Sequence, residues 1–317
     1  LYLADVFNTI YDDVDAHLAS GDYLDVGEEY AEGIAETASG IRQIFDVSPE
    51  NHNFSFKYFE DGARCVVDAL TVSIELVRKH IHLSQIVAAV CKFEGGEYYP
   101  VESKHVLGIS IPEDLFIDEE RRNKLRDSFP KTNGFELRVV EYKTDDKEFN
   151  DLMSKLEVEL VGLICKKGIL SEKAMLLKDG PLPRNVSQEW RYVVGVCKSF
   201  RESLKDASTE KLILSLNENQ RSNVCYDGDK TFWFLRLRAG DPQSPVKETV
   251  RCEVLGKLEE GDSRIDEISA AVLRLKYPVC YGYDDRWRNH LYPVSVTERY
   301  CKSQYTSKEM FKLKFGL

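Results

Sequence analysis

Alternating and helical patterns of hydrophobic positions predict a mixed α/β protein. Residues 83–94 and 98–111 are two apolar runs typical of strands, and Gly95-Gly96 between them is a hairpin signal. Residues 54–60 (FSFKYFE) are aromatic and partly alternating, which predicts a strand that runs into Asp61-Gly62. The three segments together predict a run of three consecutive strands.

A long amphipathic helix and a short strand come next. Residues 148–167 place a stripe of leucines on one helical face, and Gly168 suits the helix end. The apolar run at 173–178 predicts a buried strand that ends in Asp179-Gly180. Helical spacing also occurs at 28–45 and 263–277, and further strands are predicted at 135–142, 191–200 and 230–239. Residues 279–304 are predicted to form an aromatic-rich and arginine-rich turn region that leads into a terminal segment.

The order of these elements matters more than any one of them. A strand with Asp61, two further strands, a helix and a strand ending in Asp179 follow the β-β-β-α-β order of the RNase H fold. We therefore predict one α/β domain over residues 51–317, with an RNase H-like core, a mixed sheet and C-terminal additions. An acidic, helical N-terminal extension is predicted for residues 1–50.

Two Asp-Gly pairs are the candidate chemistry. Each pair alone is an ordinary turn signal, and Asp227-Gly228 is predicted to be a hairpin turn. In the predicted fold, however, the first and fourth strands are neighbours, so Asp61 and Asp179 would converge. Carboxylates at such a point can hold two divalent ions about 4 Å apart, and oxygen ligands favour Mg²⁺ or Mn²⁺.

The charge distribution does not exclude a nucleic-acid substrate. The net charge is −11, but the first 60 residues contain 13 acidic and 2 basic residues, so the remainder is neutral. A basic groove is therefore still compatible with the composition, because local potential attracts a polyanion. The acidic segment is interpreted as solvated surface, as a dock for a basic partner, or as an arm that keeps nucleic acid away.

Cysteine spacing and absent motifs narrow the functional class. Eight cysteines lie far apart without a CxxC pair, which indicates reduced thiols of an intracellular, cytoplasmic protein and not a zinc ribbon. The sequence has no apolar run that suits a membrane helix and no visible secretory signal. It also lacks GxxxxGK[ST], so any energy for moving DNA would come from a partner.

Several runs together resemble one family. They are FKYFEDGAR, IVAAV, LEVEL, LLKDGPL, VVGVCKSF and YGYDDRWRNHLYPVSVTERYCKS, and their order over roughly residues 54–304 is similar to that of NurA nucleases, which process DNA ends. The resemblance implies a metal-dependent nuclease that uses Mn²⁺ or Mg²⁺. It also implies a homodimer seated on a HerA-type hexameric ATPase that translocates DNA, in DNA repair or phage defence.

The resemblance also implies roles for individual residues. It implies that Asp61 and Asp179 are metal ligands and that a glutamate of the helix is a third ligand. Glu157 is preferred because it is better embedded in the apolar face, with Glu159 as the alternative. His290 becomes a late ligand or a proton-transfer group, and Lys198 lies near the scissile phosphate. The first motif reads Asp-Gly-Ala here, where the family commonly has Asp-Gly-Ser.

Basic and aromatic residues are the candidates for DNA contact. Arg236 and Arg238 alternate in a predicted strand, so they share a face that either lines a nucleic-acid path or is the exposed side of the strand. Trp287, with Tyr281 and Tyr283, either stacks on unpaired bases or packs in the core. The nucleic-acid-binding set is Arg64, Arg236, Arg238, Arg286, Trp287 and Arg288.

Two other functions remain open at this stage. The acidic segment and the Asp-Gly-Ala departure are compatible with a catalytically weak subunit that only docks on a ring ATPase. The same core also serves nucleases that act on RNA, so the sequence does not distinguish the two nucleic acids.

Overall fold

The computed structural model describes residues 15–18, 41–74, 77–112, 118–128, 136–142, 147–198, 207–239, 248–277 and 290–315. The strands within these residues are β1 (Asp15–Leu18), β2 (Ile44–Asp46), β3 (Tyr58–Ile74), β4 (Val77–Glu94), β5 (Glu97–Pro112), β6 (Glu136–Tyr142), β7 (Leu176–Asp179), β8 (Val193–Cys197), β9 (Gln220–Ser222), β10 (Cys225–Asp227), β11 (Lys230–Arg236) and β12 (Thr249–Leu255). The α-helices are α1 (Glu119–Ser128), α2 (Lys147–Lys166), α3 (Ala207–Leu214), α4 (Ser263–Arg274), α5 (Tyr292–Ser303) and α6 (Lys308–Phe315).

A single mixed sheet joins the described strands. Its order is β2-β9-β11-β12-β8-β7-β3-β4-β5-β6, with β1 on β3 and β10 on β11. Strands β3, β4 and β5 form an antiparallel meander. Strand β7 is parallel to β3 on one side and to β8 on the other. The strand that follows α2 therefore lies directly beside the first strand of the meander.

Local patterns account for the meander and for α2. Gly95 and Gly96 have φ values of +61° and +88°, as the predicted two-residue hairpin requires. Helix α2 occupies Lys147–Lys166, close to the predicted range, and Gly168 with φ +65° follows its end. Its leucine stripe is buried against the sheet, so these predictions are confirmed.

The sheet has two covered faces. Helix α2 packs with Ile86, Ala88 and Val90 on what we call the α2 face. Helices α4 and α5 cover the other side, the α5 face, where Phe59, Leu177 and Val196 pack with residues of α4 and with Val294. Because side chains alternate along a strand, neighbouring residues point to opposite faces.

The predicted N-terminal helix is not observed where the structure describes that region. Residues 28–40 lie outside the described residues, but Ile44–Asp46 form β2, which pairs with β9. Strand β1 also falls within the predicted helical extension and pairs with β3. Ile41, one of the residues at helical spacing, is instead buried in a cluster with Ile213, Leu216 and their neighbours.

Two further elements differ from the predictions. Strand β11 ends at Arg236 and not at 239. Residues 292–303, predicted to belong to the turn region and terminal segment, form helix α5, which begins with a proline in its first turn. Asp227-Gly228 does form the predicted hairpin turn, between β10 and β11. No α-helix in the described part of the chain combines the length and apolar character that crossing a membrane requires.

Candidate active site

Asp61 and Asp179 lie side by side on neighbouring parallel strands. The register pairs Glu60 with Lys178, so the residue that follows each of them reaches the same level of the sheet. Asp61 lies opposite Ala89 in β4, and Ala89 packs with Cys301 of α5, which places the Asp61 side chain on the α5 face. Asp179 shares this face with Leu177, two residues before it in β7.

Strand β8 adds a lysine to the two aspartates. Asp179 is paired with Val196, and the Lys198 Nζ atom, just beyond the strand, donates a hydrogen bond of 2.8 Å to Asp179 Oδ2. Three adjacent parallel strands therefore bring two carboxylates and one ammonium group to the same edge.

This group contains two carboxylates and one ammonium group, so negative charge is in excess. Burial, followed by the neighbouring carboxylate of Asp179, raises the pKa of Asp61 well above its usual range, and Lys198 opposes this effect. Burial by itself would lower the pKa of Lys198, but the carboxylates of Asp179 and Asp61 outweigh it and raise that pKa. A second positive charge at this position would relieve the repulsion between the two carboxylates.

Gly62 does not end a strand or form a turn, because β3 continues unbroken to Ile74. A Cβ atom at Gly62 would lie 2.4 Å from Glu157 Oε1 and 3.0 Å from Met153 Cγ. Glycine is therefore required here because α2 approaches the strand closely. By contrast, Asp179 does end β7, and Gly180 follows with φ +84°, as predicted.

Glu157 reaches the same level from the α2 face. Its Oε2 accepts a hydrogen bond of 3.0 Å from Lys178 Nζ, and Glu60 Oε2 lies 3.8 Å from the same ammonium group. Glu60 is fully buried, and burial followed by the charge of Glu157 raises the pKa of its carboxyl. The predicted third ligand thus lies on the side of the sheet opposite to Asp61 and Asp179, because α2 packs against the other face.

Glu159 lies outside this group. Its carboxylate accepts hydrogen bonds of 2.7 and 2.8 Å from Arg138 and one of 3.0 Å from Lys104. The hydrogen bonds from Arg138 lower its pKa to about 2. Of the two helix glutamates, Glu157 is therefore the one that packs against the strands that carry Asp61 and Asp179, although it lies on the opposite face of the sheet.

Helix α5 contributes two residues that the sequence reasoning missed. Cys301 Sγ donates to the backbone oxygen of Asp61 at 3.4 Å. Glu298, one helical turn earlier, forms an ion pair of 2.8 Å with Lys302, and its charge raises the pKa of both Asp61 and Lys198. Their spacing of three residues puts both on one helical face, but no local motif marks that face as part of a site.

Comparison with known proteins finds similarity among solved structures only. No protein-family model matches the chain, and no curated protein matches it. Among solved structures, the chain is similar to the crystal structure of the NurA nuclease from Sulfolobus solfataricus, with a TM-score of 0.45 and 11% identity. The match covers 82% of this chain and 80% of that one.

His290 lies at the other end of α5 from the carboxylates. It precedes the helix, and its Nδ1 atom is 3.4 Å from Ser295 Oγ. Glu298 is eight residues further on, which corresponds to roughly 12 Å along a helix. The groups that act most strongly on the pKa of Asp61 are Asp179, Lys198, Glu157 and Glu298, and His290 is not among them.

Arg236 and Arg238, which were predicted to share one face of a strand, do not do so. Arg236 is buried, donates a hydrogen bond of 2.9 Å to Thr249 Oγ1 and lies 3.9 Å from Glu248, so it forms neither an exposed path nor the exposed side of a strand. Arg238 lies beyond the end of β11 and donates to the backbone oxygen of Tyr277, so the two arginines do not share a strand face.

Arg64 lies on β3, two residues beyond Gly62, and is half-buried. Arg286, Trp287 and Arg288, together with Tyr281 and Tyr283, lie outside the described residues.

The predicted metal ligands do not form one compact group. Within the described ranges, no three histidine, cysteine, aspartate or glutamate side chains are grouped closely enough to hold a metal ion. Asp61 and Asp179 nevertheless fit one divalent cation in their chemistry, since Mg²⁺ is commonly bound by one or two carboxylates with water and substrate phosphates as its other ligands.

Proposed function

We propose that the chain is a divalent-metal-dependent deoxyribonuclease with an RNase H-like core. The observation that carries the proposal is the pair of carboxylates, Asp61 and Asp179, at one level of two neighbouring parallel strands. The order β3, β4, β5, α2, β7 supports it, because β7 returns to lie beside β3; among the described residues, α1 and β6 come between β5 and α2. The sequence resemblance to NurA nucleases points to the same class.

In this proposal Asp61 and Asp179 hold one Mn²⁺ or Mg²⁺ ion. When bound, the ion supplies charge neutralisation at the phosphate and a lowered pKa for an attacking water. Lys198, held by Asp179 at 2.8 Å, adds a fixed positive charge for a phosphate oxygen. Glu157 and Lys178 support the two strands from the α2 face, and the predicted two-metal site and the ligand role of His290 remain predictions.

The partners follow from the resemblance and from composition. We propose DNA as substrate, a homodimer as the working form, and a HerA-type hexameric ATPase as the motor that supplies DNA in the cytoplasm. The ATPase is needed in this scheme because the sequence has no phosphate-binding loop of its own. Repair and phage defence both suit such an assembly.

A catalytically weak docking subunit is the second candidate. Lys198 on Asp179 and Lys178 on Glu157 already neutralise part of the carboxylate charge, which reduces the need for a metal ion. Calorimetric titration with Mn²⁺ separates the candidates, because the nuclease requires binding that is lost when Asp61 is replaced by asparagine.

Cleavage of end-labelled DNA tests the main proposal. Linear duplex, single-stranded DNA and matched RNA are incubated with the chain, alone and with a ring ATPase, in Mn²⁺, Mg²⁺ or a chelator. We expect metal-dependent cleavage of DNA that D61N and D179N abolish. Asp229→Asn is the matched control, since this aspartate is exposed in the β10–β11 turn. Cleavage that survives in both site variants would rule out the assignment.

A further inference from the structure

The turn that follows Asp179 is held by charged side chains from two other strands. Leu182 is buried, its backbone N–H donates to Glu253 Oε2 at 2.9 Å, and its backbone oxygen accepts from Lys230 Nζ at 3.2 Å. Glu253 lies on β12 and Lys230 begins β11, and both are almost fully buried. Both backbone groups of one residue are thus bound, one by an acidic and the other by a basic side chain.

Register explains why the turn can occupy this place. Lys178, Gly195 and Glu253 lie at one level of β7, β8 and β12, and side chains at one level point to the same face. Gly195 has no side chain, and a Cβ there would lie 2.9 Å from Gly180 O and 3.1 Å from Leu182 N. The turn therefore lies in the space that Gly195 leaves open.

The same network extends toward Lys198. The Arg251 guanidinium donates a hydrogen bond to Glu253 Oε1. It also lies 3.8 Å from the Sγ atom of Cys197, the residue immediately before Lys198. Asp227 Oδ2 lies 3.5 Å from Lys230 Nζ, so two acidic and two basic side chains are buried together.

Burying four charged groups is costly, and apolar residues of similar size often give equal or greater stability. Two of the four, Glu253 and Lys230, bind the backbone N–H and the backbone oxygen of Leu182, which gives them a specific role.

We propose that Glu253 and Lys230 form a clamp that fixes the turn from Asp179 to Leu182 and thereby positions the Asp179 carboxylate beside Asp61. This inference rests on the proposed function for its catalytic consequence, but the clamp itself is a property of the fold. Glu253 and Lys230 are positioning residues, because they act through the backbone and touch neither of the two aspartates.

Amide hydrogen exchange on the metal-free chain tests the clamp directly. E253L removes the acceptor of the Leu182 amide, and we expect exchange at Leu182 and Gly180 to accelerate at least tenfold. Glu248→Leu is the matched control, since Glu248 is equally buried and lies just before the same strand, but pairs with Arg236. Equal exchange at Leu182 in the two variants would overturn the proposal.

Turnover measurements test the catalytic consequence. In E253L we expect kcat for DNA cleavage to fall on the order of 10²-fold with KM unchanged, because small misplacements of a catalytic group have effects of this size. E248L should retain the wild-type kcat per folded molecule. E253Q keeps an oxygen acceptor for Leu182 and should recover much of the rate, whereas an E253Q variant as slow as E253L contradicts positioning through this hydrogen bond.

Gly195→Ala provides an independent route to the same effect. Its added Cβ displaces the turn without altering any charge, so we expect faster exchange at Leu182 and a lower kcat. If E253L does not fold, G195A still decides the matter, and normal exchange at Leu182 with a normal kcat in G195A contradicts the clamp. If the wild type cleaves no DNA, the proposed function fails while the exchange experiment still tests the clamp.

Discussion

Asp61 shows how a single residue can be unfavourable for stability and still suit a site. Its carboxyl group is almost without solvent contact and lies beside Asp179, so its ionised form is destabilised and its pKa is raised. Sequence reasoning identified the residue from an Asp-Gly pair but attributed the glycine to the end of a strand. The actual reason for Gly62 is the approach of Glu157 from the α2 face.

Replacing Asp61 by asparagine should stabilise the metal-free chain at neutral pH. Because its folded-state pKa is raised, the folded chain binds more protons than the unfolded chain above the ordinary pKa of 3.8. The free energy of unfolding of the wild type therefore falls as pH rises from 3.8 to the raised pKa. D61N keeps this stability because asparagine does not ionise. Urea unfolding in a chelator at several pH values measures the difference. A D61N variant that is less stable than wild type at pH 7 would contradict this account.

At the scale of elements, helix α2 approaches strand β3 closely at Gly62. Helical periodicity predicted α2 almost residue by residue, because its stripe of leucines is a local pattern. The same pattern does not reveal which strand residues lie beneath the helix. Two glycines in this pair of elements, Gly62 and Gly162, therefore have opposite expected responses to alanine.

Gly162→Ala should stabilise the chain and Gly62→Ala should destabilise it. A Cβ at Gly162 meets no atom within 4 Å, so alanine gains about 0.5–1 kcal/mol from its helix propensity. A Cβ at Gly62 collides with the Glu157 carboxylate that Lys178 holds, so we expect a loss of about 1–3 kcal/mol. Chemical denaturation of the two variants gives both values. Equal effects of the two substitutions would exclude the close approach of α2.

At the scale of the whole molecule, nearly all of the net negative charge lies in the first 40 residues, before the strand that carries Asp61. Ten acidic residues and no lysine or arginine precede Ile41, so this segment carries all but one of the eleven net negative charges. Strand β1, which belongs to this segment, pairs with Leu70–Ser73 at the far end of β3. That pairing begins nine residues beyond Asp61, roughly 30 Å along an extended strand.

Deleting residues 1–40 should strengthen DNA binding at low ionic strength. Removal of ten negative charges reduces repulsion of the phosphate backbone, and salt screens this effect, so the difference should shrink as salt increases. Fluorescence anisotropy with labelled DNA over a salt series measures it. Weaker binding after the deletion would instead indicate that the acidic segment assists DNA binding.

Metal binding should also be visible in the stability of the whole chain. If Asp61 and Asp179 bind Mn²⁺ in the folded state only, an ion concentration of 100 times Kd adds about 2.7 kcal/mol to the free energy of unfolding. D61N and D179N should lose this increment, whereas D229N should keep it. Thermal unfolding with and without Mn²⁺ provides the test, and an equal increment in all variants would indicate binding elsewhere.

The sequence alone determined the features that depend on a few neighbouring residues. The Gly95-Gly96 hairpin, helix α2 and the Asp179-Gly180 strand end follow from backbone freedom and from periodicity, which act within about one helical turn or one hairpin. The order of these elements also indicated correctly that the strands with Asp61 and Asp179 would be neighbours.

Only the tertiary structure decided which face of the sheet each side chain occupies. Glu157 lies on the opposite face of the sheet from Asp61, and Arg236 is buried. Glu298 and Cys301 of α5 lie on the same face as Asp61. The physical reason is that side-chain direction alternates with every residue of a strand, whereas the face on which a helix packs depends on contacts far apart in sequence. The clamp on Leu182 has the same origin, since Glu253 and Lys230 come from two different strands and bind a turn that follows a third.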